Sequence, residues 1–175
     1  RYIMWKILII ALSPFFVLAK DSVVVYNGIV TEVVNGDTFY VNSPQLGNTR
    51  LKLLCVDAPK LSQNAGPLCR TILEEAILNK KVFFVVDSKV GSTYLSEVVT
   101  DSKNGESVSG RMVQYGWAFA TQDGKHDCTT ILKYEKFARY NRLGMWLGGS
   151  DSQDHPLKYR QVKNLQLSSD KKGIK

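Results

Sequence analysis

The sequence predicts an α+β fold that is mainly β: a five-stranded closed barrel of the OB type with about three helices. Short segments rich in Val, Thr, Tyr and Phe are separated by turn signals such as Asn-Gly. One helical segment follows the third of these, and the remaining helices come near the end of the chain. With 175 residues, 44% of them hydrophobic, the chain can form one domain with an ordinary core.

Five segments are predicted to be strands. Residues 23–57 contain the first three, VVVYNGIVTEVV, DTFYVN and TRLKLLCV, which are divided by Asn-Gly-Asp and SPQLGN. The fourth is KKVFFVVDS and the fifth is YLSEVVT. This number and spacing favour a small barrel in which strands and turns alternate.

Three segments are predicted to be helical. Residues 64–80 carry Leu68, Ile72, Ala76 and Ile77 close to one face, with Pro67 near the first turn. A short helix is expected around SVSGRMVQYG, and a longer one from Thr129 to Leu143. Trp146 is expected to pack just beyond that helix. The candidate core residues of the last helix are Ile131, Leu132, Phe137, Ala138 and Leu143.

The ends of the chain differ in character from its middle. Residues 4–19, MWKILIIALSPFFVLA, have the layout of a secretory signal peptide, with Val17 and Ala19 as the small residues before cleavage. We therefore expect a signal peptide over 1–19, a domain over 20–148 and a polar tail over 149–175. The protein would then be secreted or periplasmic. The alternative is that the apolar segment is not cleaved and anchors the chain in a membrane.

The charge balance favours an anionic partner. The chain carries a formal net charge of +7. Such a balance suits nucleic acid or an acidic membrane surface. It is equally compatible with a basic protein whose charge serves only solubility.

Three cysteines are present, and none has the spacing of a metal site. In an oxidising compartment two of them can pair. Cys55 lies within an apolar strand, so we expect it to be buried and unpaired. Cys69 opens one helix and Cys128 precedes another, which makes them the predicted disulfide; three free thiols are the alternative. His126 lies in a polar segment without a partner motif, which favours a structural or solvated role.

Five stretches together resemble the staphylococcal nuclease-like (thermonuclease) family. They are VVNGDTFYV, RLKLLCVDAPK, GPLCRTILEEAILNKKV, RMVQYGWAFA and YEKFARYNRLGMW. They occur in the family's order and span most of residues 28–147. The resemblance implies an OB barrel that hydrolyses the phosphodiesters of DNA and RNA with the help of calcium.

The resemblance also implies a set of calcium ligands. Asp37 and Asp57 match the family's two metal-binding aspartates, and the backbone carbonyl of Ala58 matches a third ligand. Carboxylate and carbonyl oxygens are the ligands that calcium prefers.

The other catalytic positions of the family are substituted here. Lys60 stands where the family has the glutamate that orients the attacking water, and Lys52 and Ser92 stand where it has two arginines. No arginine occurs between Arg70 and Arg111. A lysine makes no planar bidentate contact with phosphate, although Arg50, two residues before Lys52, could partly substitute.

Two functional classes follow from this pattern. The first is a catalytically impaired module that binds single-stranded DNA or RNA, or an unknown protein, and binds calcium weakly if at all. The basic residues on its binding face would be Arg50, Lys52, Lys60 and Lys89, together with Tyr40. The second is an active calcium-dependent endonuclease. A purely structural domain, with these lysines as ordinary solvated surface, is a third interpretation; in each case we expect a monomer.

Overall fold

The computed structural model describes residues 23–100, 105–122 and 124–148. Five strands close into a barrel in the order β1–β2–β3–β6–β5. The barrel strands are Val25–Asn35 (β1), Thr38–Ser43 (β2), Gly47–Leu53 (β3), Lys81–Val90 (β5) and Thr93–Val99 (β6). The predicted fold class is confirmed, while the predicted signal segment over 1–19 and the polar tail over 149–175 lie outside the described residues.

Three α-helices and some shorter elements complete the fold. The helices are Gly66–Ile77 (α1), Val108–Gln114 (α2) and Thr129–Tyr140 (α3), and a 3₁₀ helix spans Gly144–Gly148. Two short strands, Val56–Asp57 (β4) and Phe119–Ala120 (β7), pair outside the barrel. The first and third helices are shorter than predicted. Within the described residues, no helix is both long and apolar enough to span a membrane.

The barrel closes through one long strand and one parallel pair. The first half of β1 pairs with β5, and its second half pairs with β2. Two irregularities in the β1–β2 register bend this strand, as bulges commonly do at the bends of barrels. The parallel pairing of β3 with β6 completes the ring.

Successive side chains of β3 point alternately into the core and towards the face that carries the candidate site. Leu51 and Leu53 are fully buried in the core cluster. Arg50 and Lys52 are half-buried and lie on the opposite face of the strand, because successive side chains of a strand point to opposite sides. The barrel thus holds the two cations beside each other on its outer surface.

The last helix and the segment up to residue 148 pack largely as predicted. Trp146 is buried and meets Phe119 edge-to-face, with 5.2 Å between ring centroids. Ala138 is fully buried in the same cluster. The prediction for Phe137 is wrong, because its side chain is 48% exposed. Leu68, on α1, is likewise exposed.

The predicted disulfide is wrong. Cys128 bonds to Cys55, with 5.6 Å between their Cα atoms, and the buried Cys69 is not part of this bond. Cys55 does not continue strand β3 as expected: it lies in the turn before β4 with φ of 60°, which directs it away from the regular strand. Cys69 instead lies inside α1, with its Sγ 3.8 Å from the Sδ of Met145.

Candidate active site

Asp37 occupies a buried position at the start of β2. Asp37 directly follows the turn Asn35–Gly36, and its backbone N–H donates to the side-chain oxygen of Asn35 at 3.0 Å. Its carboxylate accepts from the hydroxyl of Thr38 at 2.6 Å and from the backbone N–H of Ala58 at 3.0 Å. The residue is completely buried, so these donors replace the water that its charge would otherwise attract.

Asp57 lies beside it on β4 and is joined to it by Lys52. Asp57 is 3% exposed, and β4 is held by pairing with β7. The Nζ atom of Lys52 is 3.3 Å from Oδ2 of Asp37 and 3.3 Å from Oδ1 of Asp57. A single ammonium group therefore bridges both carboxylates.

Lys60 brings a second ammonium group to the same acids. Its Nζ is 3.5 Å from Oδ1 of Asp57 and 3.8 Å from Oδ2 of Asp37. Burial lowers the pKa of Lys60, and the positive charge of Lys52 acts in the same direction, while Asp37 opposes the change.

The backbone of Lys60 is fixed by a short turn before α1. Its N–H donates to the side-chain oxygen of Gln63 at 2.7 Å, and the N–H of Gln63 donates back to the carbonyl of Lys60 at 2.8 Å. Gly66 allows the close approach, because a Cβ there would lie 1.9 Å from the Lys60 carbonyl oxygen.

The other predicted binding residues lie around this cluster without joining it. Arg50 pairs in register with Tyr40 on β2, and its guanidinium lies 6.0 Å from the centroid of the Tyr40 ring. Lys89, on β5, lies 4.7 Å from the ring centroid of Tyr94. Ser92 is exposed in the β5–β6 turn, beside the residue that pairs with Arg50.

His126, for which the sequence predicts a structural or solvated role, lies near the same face. His126 and Asp87 meet at 2.6 Å between Nε2 and Oδ2. Together with Lys52, Asp57 and Thr121, His126 lines a cavity of about 260 Å³. The pair joins residues 39 positions apart, so no local motif could have indicated it.

Three further positioning residues were also missed. They are Asn35, Thr38 and Gln63, which bind the backbone or side chains of Asp37 and Lys60. Asn35 had a sequence signal, because an Asn two residues before an acid in a tight turn commonly accepts a backbone N–H. Gln63 had none, because its role depends on the turn that leads into α1.

The residues present do not fit a calcium ion. Calcium takes about six to eight oxygen ligands. Here the carboxylates of Asp37 and Asp57 already contact two ammonium groups, a hydroxyl and a backbone N–H. In residues 23–100, 105–122 and 124–148, no cluster of three or more His, Cys, Asp or Glu side chains could hold a metal.

Comparison with known proteins agrees with the fold. Residues 50–148 match the model of the family described as Staphylococcal nuclease homologue. Since that match covers more than half of the chain, the protein belongs to the staphylococcal nuclease family.

One curated relative shares a low sequence identity with the chain. The chain is similar to the protein named Endonuclease YhcR of Bacillus subtilis (strain 168), with 26% identity over 157 residues. The match covers 77% of this chain but only 12% of that relative. The chain thus spans a small part of the relative's length.

Proposed function

We propose that this domain binds single-stranded nucleic acid on one face of its barrel and hydrolyses phosphodiesters slowly or not at all. The observation that carries the proposal is the position of Lys60. The family's water-orienting carboxylate is replaced by an ammonium group that lies against both acids, at 3.5 and 3.8 Å. A charged ammonium group cannot accept a proton from water.

The binding face consists of Tyr40, Arg50, Lys52, Lys60 and Lys89, and we call it the basic face. Arg50 is best suited to contact a phosphate. Its side chain is half-buried and its guanidinium can contact phosphate in a planar, bidentate way, whereas Lys52 and Lys60 already contact carboxylates.

Aromatic rings accompany the cations on this part of the barrel. Tyr40 lies under Arg50, and Tyr94 lies under Lys89. Barrels of this type bind single strands by combining a cationic groove with aromatic rings on which bases stack. The family membership supports the same class of ligand, since nucleases act on nucleic acid.

The site lacks two groups that the family uses in catalysis. One is the carboxylate at position 60. The other is a fixed cation at position 92, where Ser92 lies exposed in a turn. Removing one preorganised transition-state donor commonly lowers the rate by about 10²–10³-fold. Such losses do not add simply, but both act in the same direction.

Related properties form part of the same proposal. We propose weak calcium binding at most, since the lysines repel a cation from the acid pair. We propose export, supported by the Cys55–Cys128 disulfide, because such bonds persist in oxidising compartments. We propose a monomer, supported by the closed ring of five barrel strands, which leaves no unpaired strand edge in the barrel.

An active calcium-dependent endonuclease is the second candidate. The retained acids favour it, because one ammonium group lies 3.3 Å from both Asp37 and Asp57 and so shows that they share a site. One experiment distinguishes the binding module from the active endonuclease. Labelled single-stranded DNA is mixed with residues 20–175, and binding and fragmentation are followed in the same sample.

The expected result is salt-sensitive binding with little fragmentation. Fragmentation that requires calcium and disappears in Asp37→Ala would establish the second candidate. Absence of both binding and fragmentation would leave a protein partner or a structural role.

A further inference from the structure

Asp37 and Asp57 form a buried acid pair, and nearby positive charge would stabilise their negative charges. Asp37 is completely buried and Asp57 is 3% exposed. Burial of a carboxylate is strongly unfavourable unless the charge is paired and hydrogen-bonded. A bound divalent cation or a cationic side chain can supply the compensating charge.

Here the chain supplies the charge itself. The ammonium groups of Lys52 and Lys60 lie within 3.3 to 3.8 Å of the acid oxygens, and each of them reaches both carboxylates. We call these four residues the charge cluster. Two positive charges face two negative charges, so the cluster is neutral as a whole.

The two lysines reach the acids from separate elements. Lys52 lies on β3 and pairs in register with Thr38, the neighbour of Asp37. Lys60 follows β4 and is fixed by its reciprocal hydrogen bonds with Gln63. Their side chains are 29% and 35% exposed, so the long stems cover the acids while the carboxylates stay away from water.

This arrangement differs from ordinary surface ion pairs. Exposed pairs contribute little because water already solvates both partners. In the charge cluster, the acids are the buried members, so loss of the lysines would leave two uncompensated carboxylates in one buried site.

We propose that Lys52 and Lys60 together replace a divalent cation in this site, so that the domain folds and keeps its acid pair without any metal. This inference goes beyond nucleic-acid binding and does not depend on it. It concerns the folded state alone, and its test uses neither DNA nor cleavage.

The test compares thermal unfolding in chelator and in excess calcium for three proteins. They are the wild type, the Lys52→Met/Lys60→Met variant, and a control with Lys133→Met and Lys136→Met. The control removes the same charge from two exposed lysines outside the cluster. Calorimetric titration with calcium accompanies each measurement.

The wild type and the control are expected to unfold at temperatures that calcium does not change. The cluster variant should lose more than about 8 °C in chelator relative to the control, and calcium should restore part of the loss. If that variant does not fold in chelator, Lys60→Met alone should show a smaller loss with the same rescue.

Two results would overturn the proposal. One is a wild type that calcium stabilises at low concentration. The other is a cluster variant as stable as the control in chelator, since the lysines would then not be needed to compensate the acids.

Discussion

The ammonium group of Lys52 lies 3.3 Å from a carboxylate oxygen of Asp57, five residues further along the chain. The β3–β4 turn between them contains Cys55, whose disulfide to Cys128 ties this turn to the start of α3. The closure of the barrel and the turn after β3 thus decide which charges meet in the site.

Lys60→Glu should strengthen calcium binding relative to the wild type. The change converts two positive and two negative charges into one positive and three negative, and it adds carboxylate oxygens of the kind that calcium prefers. Calorimetric titration should show clear binding by the variant and weak binding, if any, by the wild type. Lys89→Glu, with the same charge change outside the cluster, is the control. Submicromolar calcium affinity in the wild type would contradict the interpretation.

Ser92→Arg should have little effect on its own. The arginine would reach a phosphate only if the acids and their ligand were already arranged for catalysis. Combined with Lys60→Glu, it should raise cleavage of denatured DNA in calcium above either single variant. An equal gain from Ser92→Arg alone would mean that the lysine at position 60 is not the main obstacle.

Arg50→Gln should weaken binding of single-stranded DNA. Its half-buried guanidinium lies on the basic face, whereas Lys52 and Lys60 already contact carboxylates. Loss of one phosphate contact should reduce the slope of log K against log salt by about one. Arg111→Gln is the matched control, because Arg111 lies on α2 near Glu106. Equal losses in both variants would indicate a nonspecific charge effect.

Replacing Cys55 with Ser should destabilise the domain. The disulfide closes a loop with a sequence separation of 73, and the chain-entropy model assigns about 4 kcal/mol to such a loop. Cys69→Ser should leave the bond intact. Denaturant unfolding measures the stability, and peptide mapping without reduction identifies the bond. A Cys69–Cys128 peptide would contradict the structure.

Gly66→Ala should also be destabilising, although alanine favours helices. The added Cβ would lie 1.9 Å from the carbonyl oxygen of Lys60, so the turn that fixes Lys60 would have to move. We expect a loss of about 1–3 kcal/mol in the free energy of unfolding. Leu68→Ala, at an exposed position of the same helix, is the comparison. Equal or greater stability of Gly66→Ala would mean that the turn adapts without strain.

The sequence alone allowed much of the barrel to be predicted. Strand periodicity and turn residues marked all five barrel strands, because alternation of buried and exposed residues is a local property. The short pair β4–β7 was not predicted. Two-residue strands carry no periodic signal, and their pairing depends on contacts between distant segments.

The four residues of the charge cluster were named from the sequence, but their contacts were not. The resemblance identified Asp37, Asp57, Lys52 and Lys60 by position, yet it gave no reason to expect that both lysines would touch both acids. The prediction of the disulfide was wrong for a related reason. The positive φ of Cys55 removes it from the strand, and that turn could not be recognised from an apolar segment.

The most direct test of the central claim uses the domain without substitutions and labelled single-stranded DNA. Residues 20–175 are incubated with the DNA in calcium or in chelator, and complex and fragments are quantified together. The account predicts a complex that weakens with salt, forms equally well in calcium and in chelator, and leaves the DNA essentially intact. Robust fragmentation in calcium, absent in chelator and abolished by Asp37→Ala, would contradict it.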